Sequence, residues 1–193
     1  MTVLSAIGRL ASTPMTLRHV STLFLDLRNF GRFSSAHKPE AIADVLNLLW
    51  EGLGPIIWRY DGVIDKFMGD AILVTFNTET DQPDHARRAV ATAVDALRWV
   101  RDDFTWQGLR FRARAGVSTG EVAFGPVGTA ERKDVTVIGS QVNVAAVLQG
   151  RAGADHVVTD AETFRQLAAS YVGEELGYVD VFGQQVQAYL VSP

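Results

Sequence analysis

Residues 62–73 read GVIDKFMGDAIL, and the division of this stretch decides the fold. Val63, Ile64 and Phe67 favour a strand, and so do Ile72, Leu73, Val74 and Phe76 just beyond. Only Met68, Gly69 and Asp70 stand between the two runs, which leaves room for a tight hairpin and little else. The stretch therefore predicts strands over 63–67 and 71–76.

Upstream, residues 39–60 place Ile42, Val45, Leu46, Leu49, Leu53, Ile56 and Ile57 at the three-and-four spacing of an amphipathic helix. Pro39 stands near its start, and Gly52, Gly54 and Pro55 suggest a bend near its end. Before it, VSTLFLDL at 20–27 reads as a buried strand, followed by turn-like residues 28–37. Downstream, a helix is expected from about 83 to 102, with Ala86, Val90, Ala93, Leu97 and Val100 on one face and Asp81 as its N-cap. A glycine-laced strand pair follows at 111–118 and 121–127, then a strand at 134–138 leading into a helix that ends near Gly150. The tail predicts a strand at 156–158, a helix at 161–169 and strands near 178–182 and 187–191. This order, β-α-β-β-α-β with further elements, predicts an α+β, ferredoxin-like sandwich: a mostly antiparallel sheet with helices packed on it.

The chain has 193 residues, one domain's worth, and 47% of them are apolar, enough for a sizeable core. Its 18 basic residues against 22 acidic ones give a net charge of −4, which argues against a nucleic-acid partner. The absence of cysteine excludes disulfides, thiolate zinc sites, iron–sulfur clusters and a cysteine nucleophile. His19, His37, His85 and His156 are far apart in the chain and form no ligand pair by spacing. No apolar run approaches the roughly 18 residues of a membrane span, and residues 1–14 lack a basic leader, so a cytoplasmic location is expected. Val3, Leu4, Ile7, Leu10 and Ala11 share one face of a short helix, read as a docking helix or the tail of a linker.

Asp26 is a carboxylate inside an apolar strand, close to its C-terminal end, where it ordinarily caps the next turn. Asp70 follows Gly69 in the hairpin turn, also ordinary turn chemistry by itself. The pair is more informative. If the first strand lies beside the hairpin, both carboxylates point to one place, and paired oxygen ligands at a sheet edge suit Mg²⁺, which draws its remaining ligands from water and substrate phosphates. Lys66, between apolar neighbours, either snorkels to solvent or is aimed into a pocket.

GVIDKFMGDAIL resembles the Lys-x-x-Gly-Asp hairpin of the class III adenylyl/guanylyl cyclase catalytic domain, and STLFLDLRNF at 21–30 is similar to that family's first metal-binding segment. GVSTGEVAFGPVG at 116–128 and DVTVIGSQVNVAA at 134–146 are similar to its later segments, in order and at suitable spacing. One block alone would be weak; four in sequence are specific. The resemblance divides the chain into an N-terminal docking helix or linker, residues 1–19, and a cyclase homology domain, residues 20–193.

The resemblance implies conversion of ATP to 3′,5′-cyclic AMP and pyrophosphate. Asp26 and Asp70 would hold two Mg²⁺ or Mn²⁺ ions per site against the triphosphate. Lys66 and Thr136 would read the base, a Lys/Thr pair pointing to ATP, with Phe30 also on the substrate, and Asn143 would orient the ribose as a catalytic residue. Because the family's sites form between two catalytic domains, a homodimer is implied, with the aspartates from one chain and Lys66, Thr136 and Asn143 from the other.

Several positions depart from the family pattern around the phosphates. Val147 stands where an arginine neutralises the transition state, and Phe182 where a lysine is usual. Asn29 replaces a glycine of the phosphate-cradling turn, and Gly31 a serine or threonine. Arg151, Arg28 and Arg32 are the candidate substitutes for the lost cations. The expectation is a slow cyclase; the alternative is a catalytically degenerate cyclase-homology module that binds nucleotide and serves as a regulatory or dimerisation domain.

Overall fold

In chain order the elements are β1 (Thr16–Leu27), α1 (Phe30–Ala36), α2 (Pro39–Arg59), β2 (Val63–Met68), β3 (Ala71–Phe76), α3 (His85–Asp102), β4 (Thr105–Trp106), β5 (Leu109–Arg110), β6 (Ala113–Gly128), β7 (Lys133–Ile138), α4 (Ser140–Arg151), β8 (Val157–Asp160), α5 (Ala161–Gln166), β9 (Gly173–Val181) and β10 (Gln184–Val191). The computed structural model describes residues 14–167 and 171–191. The helix expected over residues 3–11 lies outside them.

Strand β1 organises the sheet. Its neighbours are β3 on one side and β6 on the other, both antiparallel, and β2 closes the predicted hairpin against β3. The order β2-β3-β1-β6 is that of a ferredoxin-like βαββαβ unit. Beyond β6 the sheet continues through β8, β10 and β9; β6–β8 is its parallel pairing, and β7 pairs with the distal half of β6. The expected α+β sandwich is thus the observed architecture.

Strand alternation sorts the core into two layers. Leu23, Leu25 and Leu27 of β1, with Ile72, Val74 and Phe76 of β3, face Val45, Leu49, Leu53 and Ile57 of α2 and Ala89, Val90, Ala93 and Leu97 of α3. Val20, Leu73, Val122 and Val137 line the other face, while Val144, Leu148 and Ala152 of α4 pack on Val158, Val181 and Ala188. Helix α4 lies directly on β6: a Cβ at Gly116 would stand 2.2 Å from the Ala145 carbonyl oxygen and the Gln149 amide nitrogen. By length and hydropathy α2 matches a membrane span, with a mean of 1.2, but its apolar stripe is spent on the core.

Three expectations are corrected. The strand pair over 111–118 and 121–127 is one 16-residue strand, β6, because β1 opposes it without a break from Thr16 (paired with Phe124) to Leu27 (paired with Ala113). Gly120 marks no turn there; it admits Gln141, whose Cγ would be 2.7 Å from an added Cβ. The turn-like residues 28–37 contain helix α1, too short to show a periodicity. Asp81 does not cap α3, which begins after Asp84; it pairs with Arg18 at 2.9 Å. Helix α2 spans Pro39–Arg59, as expected, with Pro55 inside it.

A buried polar cluster joins β1 to α3. Ser21 Oγ lies 2.8 Å from His85 Nδ1 and 2.7 Å from Thr119 Oγ1. Burial, reinforced by the neighbouring His19, lowers the His85 pKa from 6.5 to about 4. Between these values the unfolded chain binds a proton that the folded chain refuses. The stability tied to neutral His85 is complete above pH 6.5 and is lost as pH falls toward about 4. His85→Asn, which keeps a polar atom near Ser21, is expected to flatten the fall in unfolding free energy across that window in urea titrations. Parallel profiles for the two proteins would refute this assignment.

Candidate active site

Register brings the two carboxylates together. Asp26 stands opposite Ala71 on β3, and the hairpin turn, closed by Gly69 at φ 65°, presents Asp70 immediately before that position. Burial raises the Asp70 pKa, and the Asp26 charge adds to the rise against hydrogen bonds to the Asp70 and Leu27 amides. On the other flank of β1, Asp26 stands opposite Arg114 of β6. Arg114 donates from Nε to Asp26 Oδ1 at 2.8 Å and from Nη2 to Oδ2 at 3.1 Å, a bidentate pair. Its Nη1 donates to the Gly150 carbonyl at 3.0 Å and so ties the site to the end of α4.

This arrangement fits a hard divalent cation. Two carboxylates forced together gain from a positive charge between them, and oxygen donors suit Mg²⁺ or Mn²⁺. Arg114 occupies one direction on each Asp26 oxygen, and a carboxylate has further lone pairs. Among the described residues no group of three His, Cys, Asp or Glu side chains gathers anywhere, so further ligands would come from substrate and water.

In the turn after Asp26, Asn29 is left-handed at φ 61°, ψ 21°, a conformation open to glycine and tolerated by asparagine. Phe30 is only 7% exposed and packs in the core against Phe33. A cavity of about 390 Å³ opens beside this turn, lined by Arg28, Phe30, Arg110 and Arg112 among others, while Arg32 is exposed and does not line it.

A second cluster forms between β2 and β7. Lys66 Nζ donates to Thr136 Oγ1 at 2.9 Å, and Thr136 Oγ1 donates to Asp65 Oδ1 at 2.9 Å. Asp65 Oδ1 also lies 3.0 Å from Lys66 Nζ, and its Oδ2 accepts from the Val137 amide at 3.3 Å. The Asp65 side chain is 3% exposed, whereas Lys66 reaches solvent. Both line a cleft of about 500 Å³ together with Phe124, Arg132 and Lys133. Adjacent strand residues normally face opposite ways; here the β2–β3 register slips between Ile64 and Lys66, and the bulge turns Asp65 toward the same partner as Lys66.

Asn143 is exposed on α4, four residues before the half-buried Val147, which packs against the Val144–Leu148 cluster. Arg151 is the last residue of that helix and is exposed. Phe182 is 85% exposed in the β9–β10 turn, at φ 51° beside Gly183 at φ 88°. Sequence reasoning missed Asp65 and Arg114. Arg114 lies two residues before the GVSTGEVAFGPVG block and is visible only through register; Asp65 is visible only through the bulge.

Comparisons with known proteins bear on the family and the fold. The family profile described as the adenylate and guanylate cyclase catalytic domain matches residues 13–193. The adenylate cyclase of Anabaena cylindrica is 37% identical over 136 residues, 69% of this chain and 27% of that protein. The chain spans about a quarter of the length of the curated relatives it matches. The catalytic core of a rhodopsin-guanylyl cyclase with converted specificity, solved with ATPalphaS, superposes with a TM-score of 0.87 at 27% identity, covering 93% of this chain and 98% of that one. The guanylyl cyclase Cya2 gives a TM-score of 0.85 at 31% identity, covering 93% and 94%. With the profile reaching from just before β1 to the last residue, and with relatives of both nucleotide preferences sharing its sheet and helices, this chain belongs to the class III adenylate and guanylate cyclase catalytic domain family.

Proposed function

We propose that the chain is an adenylate cyclase domain that converts ATP to 3′,5′-cyclic AMP and pyrophosphate, slowly, in a homodimer with shared sites. The observation that carries the adenine preference is the hydrogen bond to Thr136 from Lys66, which lines the cleft. Asp26 and Asp70 would hold two Mg²⁺ or Mn²⁺ ions with the triphosphate; ions so bound acidify the ribose 3′-hydroxyl and stabilise the departing pyrophosphate. The 3′-hydroxyl gives its proton to water as its oxygen bonds to the α-phosphorus, the bond to the oxygen bridging to the β-phosphate breaks, and pyrophosphate leaves with that electron pair.

The protein's own groups do the rest. Lys66 donates to the purine, Thr136 contacts the 6-position, and Asn143 orients the ribose. Arg114, braced on Asp26, supplies positive charge at the phosphate end. The division between two chains is supported by the resemblance alone, since that family's sites form between two catalytic domains; a guanylyl cyclase domain of the RhoGC fusion protein from Blastocladiella emersonii, a structural neighbour, is described as dimeric. The slow rate follows from Val147 and Phe182, which offer phosphates no donor.

Purified protein assayed with ATP and GTP, in Mn²⁺ and in Mg²⁺, is expected to yield cyclic AMP in excess of cyclic GMP, with Asp26→Ala giving neither. Metal-dependent ATP binding without product at high protein concentration would overturn the enzymatic reading. The chain would then be a nucleotide-binding regulatory module, the reading that Val147 and Phe182 favour.

A further inference from the structure

We infer that Asp65 sets the nucleotide preference by fixing the direction of the Thr136 hydroxyl; this rests on reading the Lys66–Thr136 pair as the one that meets the purine. A threonine hydroxyl has one hydrogen and two lone pairs, and left free it rotates to donate or accept. Here it is not free. The Asp65 carboxylate has nothing to donate, so the hydrogen on Thr136 Oγ1 is committed to Asp65 Oδ1 at 2.9 Å. The Lys66 ammonium, also a donor only, takes one lone pair at 2.9 Å while standing 3.0 Å from the same Asp65 oxygen. What remains on Thr136 is a single acceptor direction.

That remainder discriminates between purines. Adenine carries an amino donor at its 6-position, whereas guanine carries a carbonyl acceptor there. An acceptor-only hydroxyl bonds to the first and opposes the second oxygen to oxygen. Asp65 does not relax this constraint by turning away. Its side chain is 3% exposed, and it is pinned by Lys66 at 3.0 Å and by the Val137 amide at 3.3 Å. The β2 bulge that aims it exists at this residue. Asp65 touches no nucleotide in this scheme; it is a positioning residue acting through Thr136.

The test compares ATP with GTP in turnover and in competitive displacement of a fluorescent nucleotide, for the wild type, Asp65→Ala, Asp65→Asn, Thr136→Val and the Asp65→Ala/Thr136→Val double variant. Asp65→Ala is expected to narrow the ATP-over-GTP ratio about tenfold, chiefly by admitting GTP, since the freed hydroxyl then donates to the guanine carbonyl. Asp65→Asn, which puts a donor in place of one of the two acceptor oxygens used by Thr136 and the Val137 amide, is expected to narrow the ratio less than Asp65→Ala does. In the Thr136→Val background the Asp65→Ala change leaves the ratio where it was. A merely structural role would weaken both nucleotides together and leave the ratio unmoved, and that result overturns the inference alone. An equal narrowing with or without Thr136 also overturns it. Wild-type protein that binds neither nucleotide, or prefers GTP, overturns the adenine-site reading itself.

Discussion

Asp70→Asn is expected to lower metal-dependent cyclic nucleotide formation at least about a thousandfold, and at the same time to make the metal-free protein harder to unfold at neutral pH. Both effects come from one carboxylate. Asp70 is pushed toward its neutral form by burial first and by Asp26 second, so its folded-state pKa is above that of the unfolded chain. A carboxyl with a raised pKa favours the fold while protonated; that contribution is lost as pH rises from the ordinary carboxylate range through the folded value. At pH 7 the charged Asp70 is therefore a stability cost, and asparagine removes it while keeping an oxygen for the Leu27 and Asp70 amides. Calorimetry in EDTA, with and without added Mn²⁺, reads both sides. The wild type should gain thermal stability from Mn²⁺, and the variant should start higher and gain little. A variant that melts lower without metal, or that responds to Mn²⁺ like the wild type, would show that Asp70 is not the strained half of a cation site.

The parts of the fold that were legible in the sequence are those whose signal is local. Strand β1, the β2–β3 hairpin and helices α2 and α3 announce themselves through alternation or three-and-four spacing within a dozen residues. Strand β6 was not legible as one strand, because its continuity is imposed from outside by the twelve paired residues of β1, and glycines that look like turn residues are there for α4 to approach. The meeting of Asp26 and Asp70 was legible as a condition: it required only that the first strand lie beside the hairpin, and it does.

Arg114 and Asp65 were illegible for different reasons. Arg114 becomes part of the site through a cross-strand register spanning 88 positions, which no local pattern encodes. Asp65 looks like the wrong-facing neighbour of Lys66 until the bulge reverses it, and no glycine marks that bulge. Asn29 lies between these cases. Its tolerance of positive φ suggested that the turn survives without glycine, and the backbone at φ 61° agrees. What the pattern could not convey is that Asp26 already has a bidentate partner, Arg114, on the neighbouring strand.

Val147→Arg is expected to raise kcat for ATP about ten- to a hundredfold with KM little changed. Removing a donor aimed at transition-state charge typically costs about 10²–10³ in rate, and restoring one regains part of that once its surroundings have not evolved to hold it. The position is favourable. Val147 lies four residues after Asn143, on an adjoining part of α4, so both side chains leave the helix toward the same side. Val147 itself is only half-buried, at the margin of the Val144–Leu148 cluster, which leaves a long aliphatic stem room to lie along the helix while the guanidinium reaches out. The expected loss of packing is about 1 kcal/mol, visible as a modest drop in melting temperature, and Val147→Leu separates that packing effect from the charge. The split between kcat and KM identifies the mechanism, because a cation that acts only on the developing charge binds the ground state no better. A rise in affinity without a rise in kcat would mean that the arginine grips the bound triphosphate instead. No change in either, in a folded protein, would mean that Arg114 already neutralises the charge on which the missing arginine would have acted, and that the rate is limited elsewhere.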